Sequence, residues 1–295
     1  METRRYRSWL PVERTSFDHI LREYRYDLLI DFTADPLSAV LCNSNTAPPS
    51  LGFDRPIRFL SGHIDIGPAY DLAIPFSETE HLRGLMLRLV SPWTGEGTPF
   101  TAPRIVISES AEEEGANLLA SKGVDSRPFV VLHPGANWPP KRWPPSHWVS
   151  LAKIVQKSVD HALMVMGAAS DESLVTSIIR GSPRAVPIIG MGLDITAAII
   201  KRSSLCVCND SAAMHIAAAV GTPSVSLFGP VSPARSAPFP EEGCEVLYQE
   251  MFCSPCTLYY SRDRCRRGLN FCMQAIDPEV VFESMVRSLQ TRGLS

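Results

Sequence analysis

The most informative segment of the chain covers residues 209–230, which read Asn-Asp-Ser-Ala-Ala-Met-His-Ile-Ala-Ala-Ala-Val-Gly-Thr-Pro-Ser-Val-Ser-Leu-Phe-Gly-Pro. The pattern predicts the end of a strand, a polar turn, a short helix, a Gly-Thr-Pro stop and a second buried strand. Asp210 and Ser211 are favourable N-cap residues, because their side-chain oxygens accept hydrogen bonds from the first turn of a helix. Since a helix N-terminus also attracts anions, the segment predicts a phosphate site at the carboxyl end of a parallel strand. The alternative is that both residues only cap the helix and that His215 is a hydrogen-bonded interior side chain.

Strand and helix patterns alternate through the second half of the chain. The predicted strands cover residues 129–132, 162–166, 186–189 and 205–208, and the predicted helices cover residues 146–159, 171–179 and 195–202. Repeated units of this kind imply a parallel sheet with helices on both faces. The segment 277–290 has helical periodicity, with Pro278 in its first turn, and is predicted to be a closing helix.

Length and composition limit the class of protein. A chain of 295 residues, 45% of them hydrophobic and 20% charged, is typical of a globular protein of two domains. The net charge of −3 argues against general nucleic-acid binding, and no apolar run reaches the length of a membrane span. The N-terminus has no apolar signal-peptide core, so we expect a cytoplasmic protein. A contact of its basic residues with the inner face of the membrane is the alternative to a solvated terminus.

Four of the eight cysteines cluster near the end of the chain, at Cys253, Cys256, Cys265 and Cys272. In a cytosolic protein such a cluster points to metal binding or thiol chemistry before structural disulfides. The second pair does not repeat the C-x-x-C spacing of the first, so a zinc ribbon is a weak match. We therefore predict no metal centre and interpret the cluster as a structural feature of its loop, with a zinc site as the alternative.

A loop dense in proline follows the strand predicted at 129–132. It reads His133-Pro-Gly-Ala-Asn-Trp-Pro-Pro-Lys141-Arg-Trp-Pro-Pro145. A lysine in such a loop supplies a mobile point charge for a phosphate, although composition alone would leave it as a solvated loop charge. The chain has no P-loop motif, and its Gly-Met-Gly at 190–192 does not continue as a dinucleotide fingerprint, which excludes two other phosphate-binding classes by motif.

Three parts of the chain resemble glycosyltransferase family 9, the ADP-heptose:lipopolysaccharide heptosyltransferases. The family pattern Asp-Ser/Thr-Gly-x-x-His appears as Asp210, Ser211 and His215, with Ala212 at the position of the family's glycine. The family's Lys-x-Trp-Pro element, which follows a His-Pro-Gly-like turn, appears at residues 141–144. In the first domain, Tyr-Asp, Ile-Asp, a serine and Gly-Phe-Asp match in order between residues 26 and 54. The resemblance therefore covers nearly the whole chain.

The resemblance implies an α/β fold of the GT-B type, with two Rossmann-like domains facing a cleft. We expect an N-terminal, acceptor-side domain at 1–126, a nucleotide-sugar-binding domain at 127–276 and the closing helix at 277–295. Family members begin with an earlier strand and a Gly-Asp loop that no residue here matches. The first domain is therefore expected to be truncated.

The implied reaction is the inverting, metal-independent transfer of heptose from ADP-heptose to an inner-core lipopolysaccharide or lipid A precursor acceptor. No cofactor is implied besides the nucleotide-sugar donor. Two alternatives stay open. One is a catalytically degenerate protein that binds nucleotide sugars without turnover. The other is a family 9 transferase with a different glycan or a protein as its acceptor.

The resemblance also implies roles for individual residues. Lys141 would contact the diphosphate, and Asp210 would face hydroxyls of the transferred sugar. Met191 lies where the family packs the adenine, and Asp171, or its neighbour Glu172, lies near the position of a ribose-binding carboxylate. The implied donor site is completed by Gly135, Ser211, Ala212, Ala213 and His215.

The general base of the family lies in the N-terminal loop that has no counterpart here. Transfer to a hydroxyl needs a group that takes its proton, and geometry has to be shown before a residue is assigned that role. Asp31 and Asp35 are the candidate substitutes, because both fall in the first domain near the expected cleft. The alternative for Asp31 is that it ends a strand or caps the next helix.

Overall fold

The computed structural model describes residues 19–20, 23–24, 26–32, 38, 42, 48–54, 58–59, 62–63, 70–77, 79–95, 103–124, 126–238, 243–256, 265 and 267–290. The chain divides into two compact units, Met1–Phe100 and Thr101–Ser295. Within the described residues, no helix is long and apolar enough to cross a membrane.

The first unit is built on a parallel sheet of three strands, β1 (Leu29–Ile30), β2 (Ser50–Asp54) and β5 (Leu72–Pro75), in the order β1-β2-β5. Two short strands, β3 (Arg58–Phe59) and β4 (Gly62–His63), pair antiparallel. Helix α1 (Leu82–Thr94) packs on the sheet, and its Leu85 and Leu89 form a small core with Leu51 and Phe53 of β2. Apolar side chains on one helix face and one central strand therefore hold this unit together.

The second unit contains a parallel sheet of six strands. They are β6 (Phe129–His133), β7 (Ala162–Gly167), β8 (Val186–Ile189), β9 (Leu205–Asn209), β10 (Ser224–Phe228) and β11 (Cys244–Tyr248). Their order across the sheet is β11-β10-β9-β6-β7-β8. Read from β6, this is the 3-2-1-4-5-6 order of a doubly wound, Rossmann-like sheet. The prediction of an α/β protein with a parallel sheet is therefore confirmed.

Helices connect these strands. They are α2 (Glu109–Ser121), α3 (Pro145–Ser158), α4 (Glu172–Gly181), α5 (Leu193–Arg202), α6 (Ala212–Val220), α7 (Pro233–Ser236), α8 (Phe271–Gln274) and α9 (Pro278–Gln290). The helices predicted at 146–159, 171–179, 195–202 and 277–290 are present, with bounds within two residues. Gly221 ends α6 in the left-handed conformation (φ 78°), as the Gly-Thr-Pro stop predicts.

Both faces of the six-stranded sheet are covered by apolar clusters, as a parallel sheet requires. One cluster joins Trp143, Trp148 and Leu151 to Met285 of α9. The other joins Met164 and Met166 of β7 to side chains of α5 and α6. Helix α9 packs against α3, so the closing helix belongs to the core of the second unit.

Helix α2, like α1 and β11, is an element that the sequence analysis did not predict. Ser108 caps it by accepting a hydrogen bond from the N–H of Ala111, and Glu109 and Glu112 lie in its first turn. It packs against α5, where Glu112 pairs with Lys201 at 2.6 Å. Helix α2 therefore belongs to the second unit, which begins at Thr101 and not at residue 127. The sequence signal for α2 was the capping serine followed by acidic residues.

Candidate functional site

The site lies at the carboxyl ends of β6 and β9, which are neighbours in the centre of the sheet. From β6 the chain continues to β7 on one side, and from β9 it continues to β10 on the other. Two connections that leave a sheet in opposite directions open a crevice between them, and α/β proteins bind ligands there. The two loops singled out in the sequence, 134–144 after β6 and 210–211 after β9, therefore begin at this crevice.

The central contact of the crevice joins these two loops. The ammonium Nζ of Lys141 lies 2.9 Å from Oδ2 of Asp210. The Lys141 side chain is 17% exposed and that of Asp210 is 4% exposed, so the pair is largely shielded from solvent. Charges at this distance interact more strongly in such a place than at an open surface. The structure thus brings together two residues that the sequence analysis placed in the donor site.

The carboxyl edge of the sheet carries four of the predicted site residues in a row. Gly135 follows β6, Asp171 follows β7, Met191 follows β8 and Asp210 follows β9. Because these four strands are adjacent in the order β8-β7-β6-β9, the residues succeed one another along one edge. Neighbouring strands are about 4.8 Å apart, so the row spans roughly 14 Å.

Asn209, the last residue of β9, ties the crevice together and was missed as a site residue. Its side chain is fully buried; Nδ2 donates to the carbonyl of Pro134 (2.7 Å) and Oδ1 accepts from the N–H of Trp143 (3.1 Å). A buried polar residue must find such partners. The available signal was an amide side chain at the end of an otherwise apolar strand.

The loop that carries Lys141 is also held from its other side. The indole N–H of Trp143 donates to the carbonyl of Ile276 (3.0 Å), and its ring packs edge-on against Trp148 at 5.0 Å. Nδ2 of Asn270 donates to the carbonyls of Pro140 and Arg142. The Lys-Arg-Trp-Pro sequence therefore places a buried tryptophan as an anchor directly after two basic residues.

Arg142 and Asp171 form a second ion pair beside the first. Nη2 of Arg142 lies 3.3 Å from Oδ1 of Asp171, and Nε donates to the carbonyl of Ala136 at 2.9 Å. Asp171 is 5% exposed, and its Oδ2 also accepts a hydrogen bond from the N–H of Ala168. The carboxylate implied as a ribose ligand is therefore turned towards the loop after β6.

His133 ends β6 below this loop. Burial lowers the pKa of His133, and the nearby carboxylate of Asp171 opposes that shift. Among the described residues, its Nδ1 has no hydrogen-bond partner. An imidazole with a lowered pKa is neutral at pH 7, so the positive charge in this part of the crevice comes from Lys141 and Arg142.

The start of α6 differs from the predicted capping arrangement. Ser211 is the N-cap residue, with extended backbone (φ −153°, ψ 176°), but its side chain accepts no hydrogen bond from the first turn. Asp210 directs its carboxylate to Lys141 instead. The prediction of a side-chain cap is therefore wrong; in the first turn, the N–H of Met214 donates to the backbone carbonyl of Ser211 at 3.3 Å.

The remaining predicted site residues lie at the start of α6 and after β8. Ala212 and His215 are exposed at the start of α6, and Ala213 is buried beneath them. The alternative of an interior histidine is therefore excluded. Met191 is partly buried against the core cluster of α5 and α6, directly after Gly190, whose N–H donates to the carbonyl of Gly167 (3.0 Å).

The candidate bases lie in the first unit. Asp31 follows β1, is 5% exposed, and its Oδ2 accepts a hydrogen bond of 2.6 Å from the hydroxyl of Tyr70. The Tyr70 ring lies where a side chain at Gly52 would be. Burial, with the Asp31 carboxylate, raises the pKa of Cys42 to about 12. Asp31 therefore lies at the end of a strand, which is one of the alternative roles that the sequence analysis gave it. Asp35 lies outside the described residues.

The four clustered cysteines have free thiols. The N–H of Cys256 donates to the carbonyl of Pro230 (2.8 Å). Burial raises the pKa of Cys256 and raises that of Cys272 to about 11. In the part of the chain that the structure describes, no group of three or more histidine, cysteine or acidic side chains is placed to hold a metal ion.

Part of the chain is similar in sequence to a known heptosyltransferase. Lipooligosaccharide heptosyltransferase 2 of Haemophilus influenzae is 34% identical over 123 residues, which are 39% of this chain and 35% of that protein. The match therefore spans about a third of the length of that curated relative.

Two solved structures are similar over most of the chain. E. coli ADP-heptose lps heptosyltransferase II has a TM-score of 0.70 at 23% identity and covers 95% of this chain and 82% of its own. The family 9 glycosyl transferase of Veillonella parvula has a TM-score of 0.73 at 19% identity, with 94% and 78% covered. These similarities confirm the predicted α/β fold of the GT-B type. The sequence profile of glycosyltransferase family 9 (heptosyltransferase) matches residues 14–265 of the 295, and the chain therefore belongs to that family.

Proposed function

We propose that the protein transfers heptose from ADP-heptose to an inner-core lipopolysaccharide acceptor by an inverting, metal-independent reaction. The single observation that carries this proposal is the contact of Lys141 with Asp210, 2.9 Å apart at the central crevice of a Rossmann-like sheet. No cofactor besides the donor is proposed, and the proposed location is the cytoplasm, with a contact at the inner face of the membrane as the alternative.

The charge of the crevice fits a leaving diphosphate. Breaking the bond between the sugar and the diphosphate increases the negative charge on the leaving group, so catalysis needs positive charge and aimed N–H groups at that point. Lys141 supplies the charge, and the first turn of α6 supplies N–H groups from the adjacent strand end. Asp210, which pairs with Lys141, has carboxylate oxygens that accept hydrogen bonds from sugar hydroxyls.

The order of residues along the sheet edge fits an extended nucleotide sugar. Met191 after β8 would pack the adenine, and Asp171 after β7 would lie at the ribose. Gly135 and Lys141 after β6 would lie at the diphosphate, and Asp210 after β9 at the heptose. The row is roughly 14 Å long. A linear ligand with these four parts therefore matches the strand order β8-β7-β6-β9.

Removal of the acceptor's proton is the step with the least support. Asp35 and Asp31 remain the proposed candidates. The Asp31 carboxylate is buried, and its Oδ2 already accepts a hydrogen bond from the Tyr70 hydroxyl. Asp35 is therefore the first residue to replace when turnover is assayed.

The proposal is tested by calorimetric titration with ADP-heptose. Lys141→Ala is expected to weaken binding at least tenfold, which is about 1.4 kcal/mol. Lys153→Ala, an exposed lysine on α3, is the matched control and should leave the affinity unchanged. A folded wild-type protein that binds neither ADP-heptose nor ADP would overturn the donor assignment. Binding without transfer to inner-core acceptors would instead favour the degenerate protein or a different acceptor.

A further inference from the structure

We infer that Arg142 and Asp171 are a positioning pair, which holds the loop after β6 in the conformation that presents Lys141 to the anion. The holding role follows from contacts within the second unit. Its effect on nucleotide affinity rests on the proposed function.

Arg142 crosses its own loop and joins it to the next strand. Its Nε donates to the carbonyl of Ala136, near the start of the loop, and its Nη2 reaches Asp171 in the turn after β7. The guanidinium holds these two donors in a fixed plane, so one side chain sets the distance between both acceptors. Lysine has one ammonium group and cannot make the two contacts with the same geometry.

The Asp171 carboxylate occupies a space that two glycines leave open. A Cβ at Gly135 would overlap this carboxylate, lying 2.8 Å from its Cγ, and a Cβ at Gly167 would lie 3.0 Å from the Cβ of Asp171. The carboxylate is almost fully buried, and a buried charge has to be paired. The N–H of Ala168 and the guanidinium of Arg142 are the partners it finds.

The side chains of Lys141 and Arg142 point to opposite neighbours of β6. Lys141 reaches Asp210 after β9, whereas Arg142 reaches Asp171 after β7. The peptide between them ends a short 3₁₀ turn, Pro139–Lys141, in which the N–H of Arg142 donates to the carbonyl of Pro139. The loop is therefore tied to the residues that follow both flanking strands, and loss of the Arg142 contacts frees the side of the loop that faces Asp171.

Hydrogen–deuterium exchange of the ligand-free protein tests the holding role. Arg142→Ala and Asp171→Asn are expected to speed exchange at the amides of residues 135–143 by about tenfold or more, which converts to about 1.4 kcal/mol of local opening. Arg142→Lys should not restore the wild-type rate. Arg184→Ala, which removes a contact to the carbonyl of Gln156 on the exposed surface, is the matched control. Unchanged exchange in both Arg142 variants would overturn the inference.

Titration with ADP tests whether the pair acts through Lys141. Arg142→Ala alone is expected to weaken ADP binding about fivefold, but to have less than a twofold effect when Lys141 is already alanine, because coupled residues are not additive. An equal loss in both backgrounds would mean that Arg142 acts on ADP directly and would overturn the positioning role. If wild-type protein does not bind ADP, the proposed function and the affinity effect fail, and the exchange experiment decides the holding role by itself.

Discussion

Lys141 and Asp210 lie 2.9 Å apart, although they come from different loops and are separated by two complete strand–helix units. They meet because β6 and β9 are neighbours in the sheet, and each residue follows the end of one of these strands. The pair unites a cation for a phosphate with an acceptor for hydroxyl groups in a largely shielded place. A diphosphate that enters the crevice therefore has to compete with Asp210 for the ammonium group.

This competition predicts that Asp210→Asn separates phosphate binding from sugar recognition. Without its counter-charge, Lys141 attracts an anion more strongly, and ADP should bind about threefold more tightly, near 0.7 kcal/mol. ADP-heptose should lose its advantage over ADP, because the carboxylate that is proposed to face the sugar is gone. Calorimetry with both ligands measures the two effects. Asp160→Asn, at a fully exposed aspartate, is the control, and weaker ADP binding by Asp210→Asn would contradict the argument.

Gly135→Ala is expected to lower the free energy of unfolding by about 1–3 kcal/mol, because the new methyl group overlaps the Asp171 carboxylate. Urea denaturation measures the change. The matched test is the same substitution in an Asp171→Ala background, where the space is vacant and the added cost of the methyl group should largely disappear. A cost that is the same in both backgrounds would show that the glycine is required for another reason.

Asn209→Ala should destabilise the second unit by about 2–3 kcal/mol. The substitution leaves the carbonyl of Pro134 and the N–H of Trp143 buried without their partner, and each unsatisfied group costs about 1–3 kcal/mol. Chemical denaturation followed by tryptophan fluorescence reports the loss. Asn117→Ala, on the exposed face of α2, is the control and should change the stability by less than about 0.5 kcal/mol. Equal losses of stability in Asn209→Ala and Asn117→Ala would contradict the role of Asn209 in holding the loop after β6.

The lowered pKa of His133 predicts that the protein loses stability in mild acid. Burial lowers its pKa below the ordinary value of 6.5, so the unfolded chain binds the proton more readily than the folded protein. The stabilisation is complete above pH 6.5 and is lost as the pH falls from there through the lower pKa of the folded state. Denaturation curves from pH 8 to pH 5 measure this slope. His133→Gln should reduce this slope of stability against pH. Adding His161→Gln should reduce the remaining slope further, because burial also lowers the pKa of His161. An unchanged slope in His133→Gln would refute the assignment.

Local sequence patterns were sufficient for most elements of the second unit, although they did not predict α2 or β11. The apolar runs at 129–133 and 205–209 form β6 and β9, and the turn at Asp210 and Ser211 starts α6. These features depend on hydrophobic periodicity and on turn residues, which act over a few residues of chain. The resemblance added the family and the implied roles of Lys141 and Asp210, which no local pattern supplies.

What the sequence determined by itself is therefore most strands and helices of the second unit, the stop at Gly221 and the two loops of the candidate site. The tertiary structure alone decided that Asp210 pairs with Lys141 instead of capping α6, that Asn209 binds both ends of the loop after β6, and that Arg142 pairs with Asp171 after β7. The physical reason is that these contacts join residues distant in the chain. They arise only after the order β8-β7-β6-β9 has placed the strand ends side by side, and a buried polar group then takes the partner that lies within its reach.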